Sequence, residues 1–411
     1  MVLSVFPPYF YLFAWALLSF LPYFFFSQNV YFVFLLYFVI SALFYSFYAI
    51  IKYNLPVYFK ALFMFVSFLS VYGLYFAIVG PPVYWQDAAI YLDGNTFLLW
   101  LFTSMLSVVP IYVFTCKGLI DEKIMKILFF VMLVSSMNAF RCSYANQMKL
   151  ALMTGSMQEE FTITCAYYFL SILPLVMLFK KKYFLQLLLL CVMFVYFILS
   201  AKRGAIVLGT VCSLLIVLSM FNKSTLKKKL LIVFIFLVSI VGIYEFVIYQ
   251  IQTSPYFSLR IDQTLEGYTS GRKEYGEIIW NHIMNRASPI EFLLGNGAHG
   301  TLLVNESFAH NDWLAIFLEQ GLIGVILFLL YWICFVFSWI KSKMCFDAFV
   351  VLGLLLIIGF GKTMFSMYYM PISPEMIVSS GFFAIVLGYY LAKAYPQDDV
   401  DMLKMNRDGN D

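Results

Sequence analysis

At 411 residues the chain has the length of two or three soluble domains, but 63% of it is hydrophobic, only 12% is charged and the mean hydropathy is +0.89. A soluble domain carries roughly a quarter charged residues, so this chain cannot cover a water-facing surface and reads as a polytopic membrane protein. The net charge of +4 is small and the basic residues are scattered among loops, which argues against a nucleic-acid partner.

Apolar runs near or above the roughly 20 residues that cross a bilayer fall at about 6–26, 30–51, 58–79, 96–116, 124–140, 161–179, 183–200, 204–221, 229–250, 313–340, 347–365 and 376–393. The expectation is an all-α bundle of about twelve spans in a single integral membrane domain, residues 1–411, ending in a cytoplasmic tail over 394–411. The first run has no basic region before it and no small-residue cleavage site, so it reads as a retained span. The breaks at Ser27-Gln28-Asn29 and Lys202-Arg203 are the weakest, and the long tenth run has room for a turn near either end. Of the seven cysteines, Cys116, Cys165, Cys191, Cys212 and Cys334 lie in or beside apolar runs and Cys142 falls in an expected outer loop; no spacing suggests zinc or redox chemistry.

With the N-terminus inside, 17 of the 26 basic residues fall on inner segments, which places both termini in the cytoplasm. Lysines divide 16 inside to 4 outside, yet Arg141, Arg203, Arg260, Arg272 and Arg286, five of the six arginines, lie outside. The guanidinium fork matches phosphate oxygens, so the asymmetry suggests a phosphate-bearing ligand on the outer side; chance and local salt bridges are the plainer reading.

One outer segment is long, about 251–312, a large loop that holds all three histidines, His282, His299 and His310. Residues 271–286 read as a helix with Ser270 as N-cap and Ala287-Ser288-Pro289 as a stop. Arg272, Tyr275, Ile279, Ile283 and Arg286 share one face, which fits a helix capping the bundle or lying on the bilayer. Arg272 stands where the helix dipole disfavours a cation, a conflict that an anion at the helix start would remove. Leu293 to Gly300, with three glycines, reads as tight backbone packing and lacks the setting of a nucleotide loop. Next, Glu306-Ser307-Phe308-Ala309-His310-Asn311-Asp312-Trp313 leads back into the membrane. Carboxylates four residues before and two after His310 are placed to orient an imidazole that can accept a proton near neutral pH; a structural hydrogen-bonding histidine is the alternative.

His310-Asn311, nine residues, then Gly321-Leu322-Ile323-Gly324 resembles a motif of the bacterial O-antigen polymerases and O-antigen ligases, at the same junction of outer loop and following helix. Arg260, ten residues, then Gly271 is similar to an arginine-to-glycine spacing in the polymerases, a spacing that Arg286 and Gly297 also match. Lys202-Arg203-Gly204 resembles the family's Arg-Gly step upstream of the loop, although Ser200-Ala201-Lys202 departs from the small hydroxyl residues usual before it. The likeness covers residues 195–335 closely and the N-terminal half only as a multi-span bundle.

The resemblance implies glycosyl transfer at the periplasmic face of the inner membrane from an undecaprenyl-diphosphate-linked glycan, with a second such glycan as acceptor and a chain-length regulator as a further partner. It implies no cofactor. The leaving diphosphate must be neutralised and the acceptor hydroxyl must lose a proton. Arg203, Arg260 and Arg272 are the candidates for the first task, with Arg286, Arg141 and Lys202 as further substrate contacts. His310 is the candidate base or acceptor-orienting residue, supported by Glu306, and a single displacement would invert the anomeric centre. Gly321 and Gly324 read as helix-packing positions. No metal is called for: the acids Asp398, Asp399 and Asp401 belong to the tail, and the spacing of the three histidines matches no zinc site. A polymerase is the first reading; the competing ones are an O-antigen ligase acting on lipid A core and a lipid-linked oligosaccharide flippase, the last disfavoured by few mid-span charges (Glu245 and Lys362 lie near run ends) and no internal repeat.

Overall fold

The computed structural model describes residues 7–19, 28–80, 83–85, 90–154, 163–180, 182–222, 225–254, 257–258, 261–262, 265, 272–305, 308–365, 367–369 and 373–397. The expectations placed on Arg260, Glu306, Ser270, Gly271 and the tail acids lie outside the described residues.

The molecule is helical. Its elements are α1 (Pro8–Leu18), α2 (Gln28–Lys52), α3 (Val57–Val79), α4 (Gly94–Leu101), α5 (Val108–Cys116), α6 (Glu122–Thr154), α7 (Ala166–Ile172), α8 (Tyr183–Leu199), α9 (Arg203–Asn222), α10 (Leu226–Thr253), α11 (Arg272–Asn285), α12 (Pro289–Leu294), α13 (Gly300–Asn305), α14 (Asp312–Lys341), α15 (Phe346–Phe365) and α16 (Pro374–Ala394). Among the described residues eight helical segments are long and apolar enough to cross a bilayer, and α1, α7 with its continuation, and α8 are shorter apolar helices. Helices are what such a sequence must form, since backbone groups in hydrocarbon find partners only within the segment.

Four departures from the expected elements have local causes. The fifth run continues well past 140 as α6, because residues 141–154 are rich in helix formers such as Ala, Met, Leu and Gln; Arg141 and Cys142 therefore stand on a helix and not in a loop. A buried π-helical stretch, Phe102–Leu106, joins α4 to α5. After α7 the chain tightens into a 3₁₀ helix, Leu173–Phe179, where Pro174 cannot donate to an α-helical ladder. Between α3 and α4 two short strands, β1 (Val83–Trp85) and β2 (Ile90–Leu92), pair antiparallel with Tyr84 opposite Tyr91.

The centre of the bundle is α14 and α16. Helix α14 packs along α3, and α16 packs against α5 and α7, with α15 between α14, α16 and α9. One end is tied by Lys180 to Asp347, Lys393 to Glu122 at 3.8 Å, and Asn54 to Gln397. The opposite end carries α11, α12 and α13, and Ile279 and Ile283 of α11 are buried there, as the shared helix face predicts.

That loop is fastened to α14 at a break in the helix. Gly321 has φ 66° and ψ −166°, a conformation essentially confined to glycine. Its neighbour across the contact is Gly295, at φ 79°. A Cβ on Gly321 would lie 2.4 Å from the Leu293 carbonyl, and one on Gly295 would lie 2.3 Å from that of Glu319. The carbonyls that the break releases are taken by loop amides: Asn296 donates to Leu318 at 2.8 Å and Gly297 to Glu319 at 2.9 Å. The stretch 293–300 is thus packed backbone to backbone, as its glycines suggest. Gly321 is not a helix-packing position: it makes the break itself.

Candidate functional site

Helix α14 starts on a side-chain cap. Asn311 Oδ1 accepts from the amides of Trp313 (3.0 Å) and Leu314 (3.2 Å). His310, just before it, is held at φ 49°, an uncommon left-handed backbone for a residue with a Cβ and the kind of strain that collects at functional sites. Its ring is half-buried. Burial first, then the charges of Arg272 and Lys202, disfavour the imidazolium and lower its pKa from 6.5 to about 4. The imidazole is therefore neutral at physiological pH, with one nitrogen free to accept and one to donate.

Three distant parts of the chain meet here. Lys202 sits between α8 and α9, Arg272 is the first residue of α11, and His310 precedes α14. Arg272 stands at a helix N-terminus, where the dipole adds to the positive field. Two cations, a helix start and a neutral imidazole together favour an anion beside a group that can hydrogen-bond to a hydroxyl.

Behind this cluster lies a second, fully buried polar layer. The Lys202 and Lys362 ammonium groups each stand 5.4 Å from the centroid of the Tyr167 ring. Lys362, 1% exposed, donates to Ser379 Oγ at 3.2 Å, and Ser379 in turn donates to the Tyr167 carbonyl at 3.2 Å. Asp312, 0% exposed, accepts through Oδ2 from the backbone amides of Tyr368 (2.7 Å) and Tyr369 (3.4 Å). Its charge and that of Lys362 interact across the α14–α15 interface. Two turns along α14, Glu319 accepts from Thr301 Oγ1 at 2.8 Å and from the Tyr369 hydroxyl at 3.4 Å, which ties α13 and the α15–α16 connection to the same helix.

Of the residues singled out in the sequence, Lys202, Arg272 and His310 come together. Arg203 opens α9 next to Lys202, with its side chain exposed. Arg286 does not join them: it follows the last residue of α11, roughly 20 Å along the axis from Arg272. Arg141 is exposed on α6. The orienting role expected of the carboxylate two residues after His310 is also corrected. Asp312 is held by the Tyr368 and Tyr369 amides, and the charged groups that act on His310 are cations.

The three histidines occupy three different surroundings. His282 Nε2 pairs with Asn296 Nδ2 at 3.1 Å. His299, at φ 59° and 1% exposed, lies among the rings of Phe76, Phe97, Trp100 and Phe308, and burial lowers its pKa to about 4. Among the described residues no group of three His, Cys, Asp or Glu is placed to hold a metal ion. Sequence reasoning missed Glu319 and Tyr167, set Lys362 aside as a charge near a run end, and gave Asp312 an orienting role beside His310. The signal for Glu319 and Lys362 was present, since ionisable residues inside apolar runs seldom lack a task.

What fold and site define is a helical membrane protein with a cationic cluster and a neutral imidazole at the loop-bearing end of its bundle. Compared with known proteins, the chain matches no family model, and no curated sequence is significantly similar to it.

Proposed function

We propose that the chain is an O-antigen polymerase, a glycosyltransferase of the bacterial inner membrane that joins undecaprenyl-diphosphate-linked oligosaccharide units at the periplasmic face. In this reading the chain crosses the bilayer twelve times with both termini in the cytoplasm, and residues from about 251 to 312 form the periplasmic loop. The observation that carries it is His310, held in a left-handed backbone at the start of α14 and within the electrostatic reach of Lys202 and Arg272. The cations offset the charge of the leaving diphosphate as the anomeric bond breaks, with Arg203 beside them and Arg260 added on the family resemblance. His310 accepts the hydrogen bond of the incoming hydroxyl and holds it in line, so a single displacement inverts the anomeric centre.

A lipopolysaccharide gel from a strain lacking only this gene tests the reading. Core bearing one repeat unit, with the ladder gone, is the expected result. Bare core with long glycan still on the lipid carrier would make the protein a ligase. Bare core without that glycan would make it a flippase, and an unchanged ladder would overturn the reading for this polymer.

A further inference from the structure

One buried carboxylate near the site has an oxygen with no hydrogen-bond partner among the described residues. That oxygen is Asp312 Oδ1, which is fully buried, although Oδ2 of the same carboxylate is fixed by two backbone amides. An unmatched carboxylate oxygen costs about 1–3 kcal/mol or more, and Asp312 Oδ1 is the one carboxylate oxygen among the buried unpartnered atoms of the described residues. Lys362 does not fill it: its ammonium is directed to Ser379 and the Tyr167 ring, and it acts on Asp312 only through its charge. The position is close to the chemistry: Asp312 begins α14, and the two residues before it, His310 and Asn311, are only half-buried.

His310 itself is poorly suited to keep a proton. Burial and the fields of Arg272 and Lys202 lower its pKa to about 4, so it orients a hydroxyl better than it takes up the hydrogen. The carboxylate two residues on has the opposite setting, with one oxygen pinned, the other open, and a lysine near enough to balance its charge.

We propose that Asp312 is the proton acceptor of the transfer reaction, with Oδ1 as the accepting atom and Lys362 as its counter-ion. This rests on the glycosyltransferase reading above. For this step the acceptor hydroxyl has to reach Oδ1 from the side of the half-buried His310 and Asn311. Its oxygen forms a bond to the anomeric carbon, the bond from that carbon to the diphosphate oxygen breaks, the electron pair leaves with the diphosphate, and the hydroxyl proton passes to Oδ1.

The test uses full-length protein in detergent and the polyprenyl-linked glycan that accumulates in cells lacking it. Asp312→Asn is the informative variant. Its side-chain carbonyl still accepts from the Tyr368 and Tyr369 amides, while its NH₂ group replaces the accepting oxygen. Polymer formation should fall by at least about 100-fold, the scale of a lost general base. Azide needs no deprotonation, so the same variant should still release glycosyl azide at a rate near that of the wild type. His310→Gln, measured beside it, should lose both reactions together. Asp312→Glu should recover part of the polymer-forming rate.

Normal polymer formation by Asp312→Asn would overturn the proposal. So would failure of azide to rescue a variant that still elutes and melts like the wild type, or azide rescue of His310→Gln but not of Asp312→Asn. If Asp312→Asn does not fold, Asp312→Glu decides alone: a folded but fully inactive protein that azide cannot rescue overturns the assignment. Wild-type protein that transfers to neither acceptor would instead overturn the glycosyltransferase reading itself.

Discussion

Lys202 and Lys362 stand over the same ring, that of Tyr167, each 5.4 Å from its centroid. One lysine borders the half-buried His310 and the other is enclosed between α7, α15 and α16. The ring is thus the partition between an outer cationic cluster and an inner carboxylate–lysine layer. A tyrosine face offsets part of the repulsion between two ammonium groups in a low-dielectric setting. Tyr167→Leu removes that partition, and donor binding should weaken by several-fold while the fold is kept; titration with farnesyl diphosphate, followed by the protein's tryptophan fluorescence, measures it.

Lowering the charge around His310 should raise its proton affinity. Arg272 and Lys202 both act against the imidazolium, so Arg272→Ala or Lys202→Met should move the His310 pKa upward from about 4. With three histidines in the chain, an NMR titration of ring protons can be assigned with His282→Gln and His299→Phe. A His310 pKa unchanged in Arg272→Ala would remove the arginine from this site.

Arg286 lies at the far end of α11 from Arg272, and its side chain is exposed. Arg286→Ala should keep polymer length and yield within about twofold, while Arg272→Ala should abolish the ladder at equal protein level in the membrane. Equal loss in both variants would mean that the ligand extends along the whole helix.

Acid should loosen the loop before it affects the bundle. His299 and His310 both have folded pKa values of about 4 against 6.5 when unfolded. Depressed values of this kind mean that the unfolded chain binds more protons, so their full stability is present above pH 6.5 and is lost as pH falls toward 4. For the fully buried His299 the loss across that window is roughly 3 kcal/mol. Melting temperature in detergent should drop between pH 6.5 and 4, and His299→Phe, which keeps the aromatic packing, should drop less.

Gly321→Ala tests the helix break. The methyl group would meet the Leu293 carbonyl at 2.4 Å in a backbone region closed to alanine, a strain of about 1–3 kcal/mol or more. Limited proteolysis should then cut the chain between 286 and 300, where the wild type resists; an unchanged digestion pattern would show that the loop holds without this contact.

Much of this architecture was readable from composition alone, because a run of twenty apolar residues has few other outcomes. The helix at 272–285 was readable from the spacing of Ile279 and Ile283, and His310 drew notice from its place where the outer loop leads back into the membrane. What sequence could not supply were relations across the bundle. The lone lysine of α15 gains meaning only when α7 brings Tyr167 to it and α14 brings Asp312. The break at Gly321 depends on a loop glycine whose backbone fits against it, and no local pattern separates such a glycine from one that lets two helices approach. The extension of α6 was hidden by Arg141 and Lys149, which read as the edge of a span but sit comfortably on a helix.

The contact of Gly295 with Gly321 fixes the loop to the spanning helix in a single register, because each glycine is where the other's side chain would be. Residues from 289 to 321 are therefore one structural piece. A change of length before Ser288 leaves the contact untouched, but an insertion between 297 and 311 must be absorbed without sliding it. Chimeras with a related chain should work when the splice falls ahead of α12 and fail when it falls between the two glycines.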